Sequence, residues 1–460
     1  MSGHPSTGKK NRTSGCRTEL GGDGMTLEPI HAAIASRPLK PLQILVIALG
    51  VLINMVDGFD LLAASLVSPL LAREWNLDPV MLGTLLSAGP LGTATGALLL
   101  SPVADLFGRR TAILLNLTLL AIGMLLSAGA DSLWQLIVLR FVTGMGVGAM
   151  ASAVGTLVFE YCSQRTRNLG LGLVTIGYNV GVVIGGIIVS QWLIGSFGWR
   201  SVFVFGGVVS ALLIPLVMLL LPESIDFMVS RPGPRSLQRL NKVLLRLDLP
   251  VYDQLPQPTT AVAKSSPFDL LRQPILPRLL LMQAAYFLYM LSSYFFLNWN
   301  NQLTTEAGFG DALGRWISIL TNVGGIAGGV LIGAATLRAA LRPVATATLI
   351  ALGLAIAAFG YSAHSYAWTV AASVAVGFGI FGAAVMLYAT GAATFPARVR
   401  ATGMGLSMSA GRLGSFVGPY SAGLLLAGGT GRLWTCLIMA VPVILSALVL
   451  VRVPLQPVKE

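Results

Sequence analysis

Asp57 and Asp60 stand inside the apolar run Leu45-Val-Ile-Ala-Leu-Gly-Val-Leu-Ile-Asn-Met-Val-Asp57-Gly-Phe-Asp60-Leu-Leu-Ala-Ala. Spaced i and i+3, they share one face of a helix. An ionised carboxylate in hydrocarbon is costly, so that face has to line water or meet cations. Two neighbouring carboxylates readily share a proton. The pair is therefore read as a proton-coupling site. Two guanidinium groups complement it, Arg140 and Arg412, because arginine takes a carboxylate in a bidentate grip. For Arg140 the competing reading is snorkelling to the membrane interface beside Trp134; for Arg412 it is an interfacial or pairing arginine. Phe59, Tyr178, Asn179, Asn298, Trp299, Asn322 and Tyr388 would suit a ring-bearing ligand, although any one of them alone is more often a packing residue than a ligand contact.

These residues need a membrane-spanning scaffold. The chain is 55% hydrophobic and 10% charged, with a mean hydropathy of +0.78, where a soluble domain carries about 25% charge. Apolar runs long enough to cross a bilayer fall at 43–70, 80–101, 111–130, 133–158, 168–193 and 200–221. A second set falls at 278–301, 312–336, 341–362, 366–390, 402–427 and 432–452. The expected architecture is an all-α polytopic membrane protein of twelve spans in two six-helix halves.

The expected organisation is a cytoplasmic tail (1–42), a first half (43–221), a basic linker (222–277), a second half (278–452) and a tail (453–460). A short amphipathic helix is expected at Ser236–Leu247. The net charge of +12 reflects topology rather than nucleic-acid binding. Arginine and lysine concentrate in the N-terminal segment, in alternate connections and in the linker, which places both termini in the cytoplasm. The expected location is the inner (plasma) membrane, as a multi-pass monomer. No cleaved signal peptide is visible, and Met25 offers a second start besides Met1. Cys16, Cys162 and Cys436 have neither metal nor disulfide-framework spacing. No cofactor or metal is expected, and no nucleophile–base pair or phosphate loop suggests an enzyme.

The second connection, Ser101-Pro-Val-Ala-Asp105-Leu-Phe-Gly108-Arg109-Arg110, resembles the signature between spans 2 and 3 of the major facilitator superfamily. Ser101 stands where that family usually has glycine, and Leu106 where a basic residue is common. The equivalent connection in the second half, Gly333 to Arg342, has no acid. Arg140-Phe-Val-Thr-Gly144-Met-Gly146-Val-Gly148 resembles the family's arginine-then-glycine span. The antiporter proline is missing from Gly177-Tyr-Asn-Val-Gly181, which favours symport. Asp57-Gly-Phe-Asp60 is similar to an element of the aromatic acid:proton symporters, carriers of benzoate-type compounds.

The resemblance implies functional positions at Asp57, Asp60, Arg140, Glu160, Arg400 and Arg412. It implies uptake of an aromatic carboxylate with protons by alternating access. Asp105, Gly108, Arg109, Arg110, Glu160, Arg165, Arg167 and Arg400 would then serve gating, with Glu160 expected to pair with Arg165 or Arg167. Another organic acid or a sugar-like metabolite, export, and a transport-fold sensor remain as alternatives.

Overall fold

The structure, a computed structural model, describes residues 27–231, 233, 235–256, 275–336, 338–396 and 399–454. The question of the start codon and Cys16 lie outside the described residues, as do parts of the expected tails and linker. Among the described residues all regular structure is helical. That follows from the composition, because a chain in lipid has to satisfy its own backbone groups.

Among the described residues, twelve long helices carry the fold. The first six are α1 (Pro41–Glu74), α2 (Pro79–Leu99), α3 (Arg109–Ala128), α4 (Leu133–Tyr161), α5 (Arg167–Ile188) and α6 (Arg200–Leu220). The second six are α7 (Ile275–Thr304), α8 (Asp311–Ala335), α9 (Leu341–Tyr361), α10 (Tyr366–Thr394), α11 (Arg400–Ala427) and α12 (Gly431–Val451). Eleven of them are long and apolar enough to cross a membrane. The remaining one, α11, has 28 residues, but Arg400, Arg412 and many glycines and serines dilute its hydropathy. Several helices outrun their apolar runs: α1 continues to Glu74 and α10 to Thr394.

The two sets repeat one packing plan. In the first, α1 packs on α5, α2 on α4, and α3 on both α4 and α6. In the second, α7 packs on α11, α8 on α10, and α9 on both α10 and α12. Small residues make the repeated contacts close. A Cβ on Gly92 or Gly144 would strike the facing backbone in the α2–α4 contact, as it would on Gly324 or Gly377 between α8 and α10. The sets meet through α1–α7, α2–α11 and α5–α8.

Between the sets, a helix at Ser236–Arg246 buries Leu240, Val243 and Leu244, one residue shorter than the expected amphipathic helix. The N-terminal segment departs from a plain tail. Glu28–Ser36 is helical, and Leu27, Ile30 and Ile34 are buried. This helix is tied down by His31 to Asp226 at 2.8 Å. Lys40 and Arg37 hold the segment that follows, reaching the Asp248 carboxylate at 2.6 Å and its carbonyl at 2.5 Å. Its apolar spacing was masked by the polar sequence around it.

Candidate functional site

The interior of the first set holds an ion pair. Arg140 on α4 donates from Nη1 to Asp60 Oδ1 at 2.9 Å and contacts the Asp60 carbonyl at 3.4 Å. Its other nitrogen meets Met124 Sδ at 2.9 Å, and the guanidinium lies over the Phe203 ring, 4.9 Å from its centroid. With 2% of Arg140 exposed, snorkelling is excluded. The arginine is held by Asp60 instead of standing free for a ligand carboxylate. This answers the energetic problem of an acid in lipid, since a buried charge needs a partner and further hydrogen bonds.

Asp57 is different. It is equally buried, yet its Oδ1 has no hydrogen-bond partner among the described residues. Both acids act electrostatically on Tyr178 of α5, so the three residues share one neighbourhood.

Two small cavities adjoin this group. One is lined by Leu61, Leu62, Tyr178, Val182, Leu297, Asn298 and Asn322 and measures about 10 Å³. The other, also about 10 Å³, is bounded by Asp60, Arg140, Thr93, Gly144 and Asn298, among others. Each has room for about one water molecule. Leu61 and Asn298 belong to both walls.

Arg412 on α11 supplies a second cation. Its guanidinium lies near the Tyr294 hydroxyl of α7, and among the described residues it makes no hydrogen bond or ion pair. Tyr294 in turn lies near Tyr178, whose ring is 6.5 Å from Phe381 of α10. Tyr294 and Phe381 were not singled out from the sequence, where nothing separates them from packing aromatics.

Two expected ring contacts are placed elsewhere. Phe59 packs edge-on to Phe205 at 5.3 Å and fills the space beside Gly185 and Gly206. Trp299 is fully buried and donates from Nε1 to the Pro419 carbonyl at 3.0 Å, inside the α7–α11 contact. Both are large apolar bodies at helix crossings, where packing claims them. Tyr388 is 60% exposed and Asn179 is buried with Oδ1 unpartnered; neither borders the two cavities. Asn322 borders the first and donates to the Ser318 carbonyl at 2.9 Å.

At the Lys40 end of the first set, five of the expected gating residues, Asp105, Gly108, Arg109, Arg110 and Glu160, lie close together. Asp105 and Arg109 pair at 3.3 Å. Gly108 turns with φ +100°, a conformation that favours glycine, and a Cβ there would strike Glu223. Glu223 accepts the Arg110 backbone N–H at 3.1 Å, placing a carboxylate at the start of α3, where the helix dipole favours it.

Glu160 does not pair with Arg165 or Arg167. It makes no ion pair among the described residues; the Ser224 hydroxyl lies within reach of its carboxyl, and Asp226, Arg109 and His31 are its charged neighbours. Arg167 lies instead 3.9 Å from the Phe159 ring centroid, Arg165 is exposed, and exposed Arg400 contacts the Phe395 carbonyl at 3.4 Å. His31, Glu223 and Asp226 complete this cluster. Glu223 lies next to the Gly-Arg-Arg turn only in space, and no local signal marks His31.

Among the described residues, every side-chain hydrogen bond or ion pair joining the two sets lies toward the Arg73 end. Arg73 pairs with Asp311 at 3.0 Å, and Ser65 and Asn301 join α1 to α7.

Comparison with known proteins gives the family and the fold. Residues 48–298 match the model of the Major Facilitator Superfamily. The chain is 31% identical to a gallate transporter of Pseudomonas putida over 90% of its own length and 92% of the relative's. It is 30% identical to the 4-hydroxybenzoate transporter PcaK of Acinetobacter baylyi, covering 86% and 88%. Its fold is similar to a partially occluded, inward-open xylose transporter XylE of E. coli, with a TM-score of 0.69, 14% identity and coverage of 88% and 96%.

Proposed function

The chain belongs to the major facilitator superfamily, a family of membrane transporters and not enzymes, and from that premise we propose that it imports a hydroxybenzoate-type carboxylate together with protons. Alternating access moves one set of six helices against the other around a site near mid-bilayer. The twelve long helices then act as twelve spans, with both termini and the Glu223 cluster in the cytoplasm and the Arg73 end outside. The protein works as a monomer in the inner (plasma) membrane.

One observation carries the reading: beside the Arg140–Asp60 pair and its two cavities, Arg412 makes no hydrogen bond or ion pair among the described residues, and the Asp57 Oδ1 has no hydrogen-bond partner. Arg412, beside Tyr294, is suited to receive the ligand carboxylate, and Tyr178 and Phe381 to flank its ring. Asp57 is the proton carrier, because Asp60 is already neutralised by Arg140. The relatives' transport of gallate and 4-hydroxybenzoate supports an aromatic acid as cargo. The two cavities, each the size of a water, support a closed arrangement that has to open to admit a ring.

Uptake of labelled 4-hydroxybenzoate, protocatechuate, vanillate and gallate into vesicles, with and without an inward proton gradient, tests this. Gradient-driven accumulation of at least one is expected. Equal accumulation without the gradient would remove the coupling, and no uptake of any of the four would remove the substrate class.

A further inference from the structure

Pro69 lies inside α1 and has no N–H to offer the carbonyl one turn back, so the Ser65 carbonyl loses its intrahelical donor. An acceptor freed in this way within a bilayer has to be satisfied by its surroundings. Two groups meet it: Ser68 Oγ of the same helix at 2.9 Å, and Asn301 Nδ2 of α7, from the other six-helix set, at 2.7 Å. The same Nδ2 reaches the Leu66 carbonyl at 3.1 Å. In return, the Ser65 hydroxyl donates to the Asn298 carbonyl at 3.0 Å. The strap is dry, with Ser65 1% and Asn301 0% exposed. Asn298, one turn before Asn301, borders both cavities.

We propose that Asn301 is a positioning residue for transport. It latches the outer side shut by bonding the carbonyl that Pro69 frees, and Asn298 links contact with the ligand to that latch. This rests on the alternating-access reading above. On outward opening Asn301 leaves, and water takes its place at the Ser65 carbonyl. A helix without the proline would satisfy that carbonyl itself and have little use for the asparagine.

The test is labelling of an Ile319→Cys reporter by a membrane-impermeant maleimide on intact cells, with Cys16, Cys162 and Cys436 replaced by alanine. Ile319 is 1% exposed and packs against Gly186 across the two sets. Asn301→Ala is expected to raise labelling roughly five-fold, the effect of one net hydrogen bond. Pro69→Ala is expected to raise it in the same direction. Because both changes break one latch, Asn301→Ala in the Pro69→Ala background should add less than about two-fold.

Unchanged labelling in Asn301→Ala would overturn the proposal, as would an equal increment from it with and without Pro69. Should Asn301→Ala fail to reach the membrane, unchanged labelling in Pro69→Ala alone would overturn it. Labelling needs no substrate, so failure here is distinct from failure of the uptake reading.

Discussion

Arg140 of α4 and Asp60 of α1 form a buried ion pair at 2.9 Å, with side chains only 3% and 6% exposed. The pair fixes α1 against α4. Its neighbour Asp57, three residues earlier, has no ion-pair partner among the described residues, and for that reason is the proposed proton carrier.

Removing one member of the pair strands the other charge, which costs about 3–5 kcal/mol. Arg140→Ala and Asp60→Asn are each expected to lower the melting temperature of the purified protein and abolish uptake. The double variant Asp60→Asn/Arg140→Gln, which leaves no buried charge, should regain most of the melting temperature but not the transport. A double variant as unstable as Arg140→Ala alone would show that the pair's charges are not what the fold depends on.

Asp57→Asn preserves shape and leaves no charge to satisfy. Its level in the membrane should match the parent. Uphill accumulation should disappear, while exchange of labelled for unlabelled substrate across preloaded vesicles persists. Undiminished accumulation would move the proton elsewhere.

Arg412→Gln removes the free guanidinium. A charge-assisted hydrogen bond contributes about 1.5–3 kcal/mol, so 4-hydroxybenzoate should bind roughly ten- to a hundred-fold more weakly. Binding of the neutral 4-hydroxybenzamide should change little. Titration calorimetry in detergent compares the two, and equal losses would deny the arginine a role in reading the carboxylate.

The hydrogen bond to Asp226 holds His31 above its ordinary value of 6.5, so folding favours the protonated ring. The tether of the N-terminal helix is therefore at full strength below about pH 6.5 and is lost as the pH rises through the raised value. Hydrogen exchange over Glu28–Ser36 should be slower at pH 6 than at pH 8.5, beyond the intrinsic effect of pH on exchange. His31→Gln should flatten the difference.

The long helices were legible because lipid demands lengths and hydropathies that no soluble sequence carries. α11 shows the limit: its arginines and glycines blur a span whose place is set by α7 and α2. Asp57 and Asp60 stood out for the same reason, as acids where apolar residues belong. The Arg140–Asp60 bond was not legible, because its members are 80 residues apart and arginine serves ligands and aspartates equally well. Glu160 shows the same gap. Nearby arginines in the chain suggested a partner, while the folded chain brings His31, Asp226 and Arg109 to it. Phe59 and Trp299 were read as ring contacts because sequence alone does not tell a cavity from a helix crossing.

The proline in α1 leaves a standing debt in the descent of this protein. If the proposed latch operates, a lineage that keeps Pro69 gains from keeping a donor at the facing position of the other half, beside the one that Ser68 supplies, and one that drops it releases Asn301 to drift. Selection would therefore see the two positions as a single inherited character, although one lies in each half.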